Sequence, residues 1–157
     1  MQKILFVCLG NICRSPMAEA IFRQKIIQAG LTHQFSVDSA GTSDWEEGNP
    51  PHPQTIATLQ NHGVSTKQLI SRPVTKTDFK NFDLIIGMDH KNMQDLQKLK
   101  PVNSRGKLRL FMSVSSKNPA SDVPDPWYTH KFEATYQQIA AGIDNWLDYL
   151  TNCDSEK

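Results

Sequence analysis

A chain of 157 residues is long enough to bury one full core and too short for several domains, so a single domain over residues 1–157 is expected. Hydrophobic residues at 38% and charged residues at 21% are ordinary for a globular protein, and a net charge of +1 provides no field to draw in nucleic acid or an anionic membrane. The three cysteines have no spacing that suggests a disulfide framework, and no two of His33, His52, His62, His90 and His130 have ligand spacing, so neither a metal nor any other cofactor is expected.

Met1-Gln-Lys precedes only a strand-length apolar run, too short for a signal peptide or a membrane span, and the expected setting is a reduced, cytoplasmic one. That run, residues 4–7, lacks alternation, as befits a parallel strand covered on both faces. Pro16 suits the first turn of a helix, Ser15 is placed to cap it, and Met17, Ala18, Ile21, Phe22, Ile26 and Ala29 recur at helical spacing up to Gly30. Residues 35–40 read as a second strand, followed by a turn-rich loop over 42–51 that carries one aromatic, Trp45. Pro53 opens a helix that Gly63 stops, residues 71–74 are an extended connector, and a short helix over 75–82 uses Phe79 and Phe82 as its apolar side. A third strand over 84–88 ends at Asp89, a helix follows over 92–99, and residues 108–112 make a fourth strand. Residues 113–128 are too polar and proline-broken for regular structure, and a loop that long in a compact domain usually carries function. The last helix runs through Phe132, Tyr136, Ile139, Ile143, Trp146 and Leu150, with Thr129 as its expected cap and a polar tail from about residue 151.

Strands alternating with helices predict a parallel sheet with helices on both faces, and ligands in such sheets sit beyond the carboxyl ends of the strands. The loop after the first strand, Cys8-Leu-Gly-Asn-Ile-Cys-Arg-Ser15, is therefore the expected site. Its exit is a helix N-terminus, where free N–H groups and the dipole favour an anion. A cysteine at the start of such a loop ionises easily, and an arginine at its end grips two oxygens of a phosphate at once. Gly10 and Asn11 tolerate left-handed backbone angles, which lets successive N–H groups point into one concavity. Cys8 thus reads as a nucleophile, Arg14 as the phosphate fork, and Leu9, Gly10, Asn11, Ile12, Cys13 and Ser15 as the phosphate-binding loop. An aryl leaving group needs a proton, and Asp122 and Asp125 are the two acids that the long loop offers.

The string Val7-Cys-Leu-Gly-Asn-Ile-Cys-Arg-Ser-Pro16 resembles the signature of the low-molecular-weight protein tyrosine phosphatases almost letter for letter. The segments Asp38-Ser-Ala, Gly48-Asn-Pro-Pro51, Met88-Asp89 and Asp78-Phe79 match that family too, so the resemblance runs from Lys3 to about Leu150. It implies a flavodoxin-like α/β fold with a four-stranded parallel sheet, and a cofactor-free hydrolysis of phosphotyrosine in proteins through a phosphocysteine. It selects Asp125, followed by Pro126, as the general acid, gives Asp89 an orienting role, and favours a Ser15 hydroxyl that donates to the Cys8 sulfur. It also places Trp45 and Tyr128 at the substrate crevice, with Trp127 standing where the family often has a first tyrosine.

Two other chemistries share the fold. Thiol-dependent arsenate reductases use further downstream cysteines, and this chain has none between Cys13 and Cys153; phosphoarginine phosphatases carry a threonine where Ile12 stands. Cys13, five residues from the nucleophile, is also a candidate to resolve oxidised Cys8 as a disulfide, or else simply packs under the loop. The expected partners are phosphotyrosine-bearing proteins, with no nucleic acid, no membrane, and a monomer or weak homo-oligomer.

Overall fold

The apolar run at residues 4–7 is wholly buried within β1 (Gln2–Cys8), in a computed structural model that describes residues 1–155. β1 pairs in parallel with β2 (Phe35–Gly41) on one side and β3 (Leu84–Gly87) on the other, and β4 (Lys107–Leu110) pairs with β3. The sheet order is β2-β1-β3-β4, the four-stranded parallel arrangement expected. The chain moves from β1 to β2, then crosses back past β1 to lay down β3. Strand order therefore reverses at β1, which puts a crevice beyond its carboxyl end.

Successive side chains of β1 point to opposite faces, which is why both faces need cover. Ile4, Phe6 and Cys8 join a core with Met17, Ile21 and Phe22 of α1 (Arg14–Gln28), Leu59 of α2 (Pro53–Asn61) and Ile139, Ile143 and Trp146 of α6 (Phe132–Ser155). Leu5 and Val7 face Phe79 of α3 (Asp78–Asn81) and Leu96 of α4 (His90–Leu99). Each large apolar side chain buried this way stabilises the fold by roughly 1.5–3 kcal/mol. Trp146 keeps its one polar group satisfied by donating its indole N–H to the Phe111 carbonyl at 2.8 Å.

Several boundaries differ from expectation, each for a local reason. α1 begins at Arg14, its N-cap is Cys13 with no side-chain cap bond, and Ser15 is buried inside the first turn instead of capping it. The expected stop holds: Gly30 takes φ +70, and the Leu31 N–H returns to the Ile26 carbonyl at 2.8 Å. β4 ends at Leu110, because Phe111 turns into the core and opens one 3-10 turn, Phe111–Val114. α4 starts at His90, two residues early, because Asp89 and Asn92 form a capping box. The long loop is not wholly irregular: Pro126–Thr129 form a short helix, α5, capped by Asp125. Thr129 therefore ends α5 and does not cap α6; its hydroxyl accepts from the Lys131 N–H at 3.2 Å. α6 itself continues through Ser155, past residue 151 where the sequence turns polar; the side chain of Cys153 lies outside the described residues.

Candidate active site

The loop between β1 and α1 is held from outside through its carbonyls. The Cys8 carbonyl accepts from the Thr42 N–H (2.9 Å), that of Leu9 from the Ser43 N–H (3.0 Å), and that of Ile12 from the His52 N–H (2.8 Å). The Gly10 carbonyl accepts from the Ser71 hydroxyl at 2.9 Å. A trans peptide points its N–H opposite to its C=O. The next N–H groups, those of Leu9, Gly10, Asn11 and Cys13, are thereby turned the other way, into the loop. Gly41 makes this lashing possible, since a Cβ there would stand 2.8 Å from the Leu9 carbonyl oxygen.

Of the two residues that tolerate a left-handed backbone, Asn11 alone adopts it, at φ 56. Its side chain is fully used. The amide donates to Ser15 Oγ (2.8 Å) and Ser39 Oγ (2.9 Å), and Oδ1 accepts from the Arg72 N–H at 3.0 Å. Three hydrogen bonds, two of them buried, over-determine a strained residue. Ser39 in turn donates to the buried carboxylate of Glu19 at 2.6 Å; burial raises that carboxyl's pKa, while Ser39 and Arg23 oppose the rise. Ser15 Oγ stands 3.0 Å from Cys8 Sγ, placed to donate to a thiolate.

Arg14 is only 2% exposed. Its Nη1 donates to Asp89 Oδ2 (2.7 Å) and to the Val123 carbonyl (2.8 Å), and its Nη2 reaches Asp125 Oδ2 at 3.3 Å. Burial alone would lower its pKa, but Cys8, Asp125 and Asp89 more than offset this and the guanidinium's pKa is raised. Nε has no partner among the described residues, so the edge of the guanidinium formed by Nε–H and one Nη2–H is left for an oxyanion. Asp89 fixes the guanidinium plane through Oδ2 while its other oxygen caps α4 by accepting from the Asn92 N–H at 2.7 Å.

Of the expected residues, Cys8, Leu9, Gly10, Ile12, Cys13, Trp45, Asp125, Trp127 and Tyr128 line one cavity of about 160 Å³, whereas Asn11, Arg14, Ser15 and Asp89 do not line it. Glu46 lines it too, a residue for which the sequence offered no signal. Trp45 (75% exposed) and Tyr128 (71%) stand at the mouth, where large exposed aromatics await a flat partner. Asp125 is placed twice over: Oδ2 faces Arg14, and Oδ1 accepts the Trp127 N–H at 3.0 Å. Asp122, the other candidate acid, is engaged by the His90 N–H at 3.0 Å and does not line the cavity. Cys13 is buried beneath the loop, and that burial, with Cys8 beside it, pushes its pKa up to about 12. Among the described residues no group of three or more His, Cys, Asp or Glu could hold a metal ion.

Residues 3–156 match the family model described as low molecular weight phosphotyrosine protein phosphatase. A fission yeast protein (Schizosaccharomyces pombe) of that same name is 44% identical over 148 residues, covering 92% of this chain and 94% of the relative. The crystal structure of YfkJ from Bacillus subtilis superposes with a TM-score of 0.92 at 39% identity, covering 97% of this chain and 96% of that one. A Drosophila structure titled arginine phosphatase superposes with a TM-score of 0.86 at 31% identity, over 95% of this chain and 98% of that one.

Proposed function

The chain belongs to the low molecular weight phosphotyrosine protein phosphatase family and is a cysteine-based protein tyrosine phosphatase, and from that premise we propose how its own residues divide the work. The Cys8 sulfur attacks phosphorus, forming an S–P bond as the aryl oxygen–phosphorus bond breaks. Arg14 and the inward N–H groups of the loop carry the charge on the non-bridging oxygens. Asp125 gives its proton to the departing oxygen. In the second step Asp125 takes a proton from water, the water oxygen bonds to phosphorus, and the Cys8 thiolate leaves with the Ser15 hydroxyl donating to it. Cys8 and Asp125 lining one aromatic-walled cavity, with Arg14 behind it holding Asp125 at 3.3 Å and keeping Nε unpaired among the described residues, carry this reading.

The substrate class follows from the walls. Trp45, Trp127 and Tyr128 suit a flat aryl group, and the branched apolar Ile12 in the lining supports phosphotyrosine over phosphoarginine. An arsenate reductase would need a cysteine to relay electrons between Cys13 and Cys153, and the chain has none there. We expect a phosphotyrosine peptide to exceed phosphoserine and phosphoarginine peptides in kcat/KM by ~100-fold, the scale on which a shaped pocket discriminates. A phosphoarginine rate equal to that on phosphotyrosine moves the enzyme to the alternative class. A monomer or weak homo-oligomer, no nucleic-acid partner and a reducing, cytoplasmic setting complete the proposal, supported by the net charge of +1 and the free thiols of Cys8 and Cys13. No described helix is long and apolar enough to cross a membrane.

For Cys13 we propose a resolving role, with packing under the loop as the other reading. Peroxide oxidises the Cys8 sulfur to a sulfenic acid; the Cys13 thiol then displaces water to give a disulfide, which dithiothreitol reduces. Burial pushes the pKa of the Cys13 thiol up to about 12, so it attacks slowly where it lies. Cys13→Ser is expected to remain active yet to recover less fully with dithiothreitol after peroxide. Recovery equal to that of wild type assigns Cys13 to packing alone.

A further inference from the structure

On the far side of the Trp127 ring lies a second groove, walled by Ile12, Pro50, Pro51, Pro53 and Ile56. Trp127, Ile12 and Glu46 line both this groove and the reaction cavity, so the two adjoin. The groove is stiff. His52 ties its floor to the loop by the N–H bond to the Ile12 carbonyl, and its Nδ1 accepts from the Gln54 N–H at 3.0 Å. The same imidazole stacks on Phe132 (ring centroids 4.9 Å) and meets Trp127 edge-on (5.8 Å). Three prolines supply surface with little rotamer entropy to lose, which makes such a wall preorganised for binding.

Charge is distributed unevenly about the cavity mouth. Among the described residues Glu46 is the one carboxylate or ammonium-type side chain lining the groove, whereas the recess bordered by Trp45 carries Lys98 and a Lys91–Asp95 pair (3.1 Å). An acidic residue is repelled on the groove side, and a neutral apolar one is not.

We infer that this groove is a subsite for an apolar side chain of the substrate protein, within two residues of the phosphotyrosine. The inference rests on the phosphotyrosine reading above. A tyrosine ring that reaches Cys8 leaves its own backbone at the rim, beside Trp127. An extended chain advances ~3.3 Å per residue and returns a side chain to the same face every second residue. The side chain two residues away, ~6.6 Å along the chain, therefore returns to the tyrosine's face and comes down beyond the indole into the groove, and burying a leucine there raises kcat/KM about tenfold.

The test scans a single leucine from position −3 to +3 of an otherwise Gly/Ser phosphotyrosine peptide, with phenyl phosphate as a substrate that cannot reach the groove. Leucine at one position within two residues of phosphotyrosine, on one side, should raise kcat/KM about tenfold. Ile56→Arg should abolish that gain and leave phenyl phosphate turnover unchanged, and Ile56→Ala should reduce the gain about threefold. If Ile56→Arg loses phenyl phosphate turnover as well, the Ile56→Ala series decides by whether the gain shrinks. No position giving more than a twofold gain, or a gain that survives in Ile56→Ala and Ile56→Arg, overturns the subsite. A wild-type dimer in sedimentation that Ile56→Arg dissolves assigns the groove to a second copy and overturns it too. Turnover of phenyl phosphate with no turnover of any phosphotyrosine peptide is a different failure, that of the underlying function.

Discussion

Cys8→Ser is expected to lower turnover of any aryl phosphate by at least about 10⁴-fold, while inorganic phosphate still binds. The serine oxygen can occupy the sulfur's position without replacing its nucleophilicity. The features that grip an oxyanion are independent of that atom. The inward N–H groups are set by carbonyl bonds to Thr42, Ser43, His52 and Ser71, and the free edge of Arg14 is set by Asp89 and the Val123 carbonyl. Arg14→Lys should behave in the opposite sense, keeping the nucleophile and losing roughly 10²–10³-fold together with phosphate affinity, because an ammonium cannot bridge two oxygens and two anchors at once. Phosphate affinity by calorimetry beside single-turnover rates separates the two. Substantial turnover in Cys8→Ser, or activity lost only with a chelator, rules out the thiolate mechanism.

Asp125→Asn should lower turnover by about 10²–10⁴-fold for a poor leaving group such as phenol, and far less for a good one such as a nitrophenol. The choice of asparagine matters. Asp125 caps α5 through Oδ1 and orients Trp127, so alanine would disturb the cavity wall as well as remove the acid. Asparagine caps a helix as well as aspartate and cannot give up a carboxylic proton, so it isolates the chemical role. Asp122→Asn should change little, since that carboxylate is held by the His90 N–H outside the cavity. Equal losses across leaving groups in Asp125→Asn would make Asp125 a wall and a partner of Arg14 only.

The sequence was most legible where the chemistry is local. From Cys8 to Arg14 the chain must turn once between a buried strand and a helix, so strand, loop and helix start could all be read from one string of residues. Even there the reading misplaced Ser15 as a cap. Its hydroxyl is drawn inward because Asn11, at φ 56, presents its amide to Ser15 Oγ, and a cap would have had to point outward to the first N–H groups. The end of the fourth strand failed for a related reason. Phe111 leaves the sheet because its carbonyl is claimed by Trp146, 35 residues later, and no local pattern carries that bond.

What the sequence determined by itself was therefore the parallel α/β order, the phosphate loop and the kinds of group a phosphoryl transfer needs. Alternating strand and helix patterns leave few topologies that bury both faces of a sheet, and the signature loop names its own nucleophile. Which aspartate stands beside Arg14 and what aims that guanidinium were decided only by tertiary structure. Asp125 and Val123 come to Arg14 across more than a hundred residues, and Asp89 across 75, because the strand order reverses at β1 and gathers three strand ends at one edge. The second groove is also a tertiary feature. It is made where the Pro50-Pro51 segment meets Trp127, and spacing along the chain holds no record of that meeting.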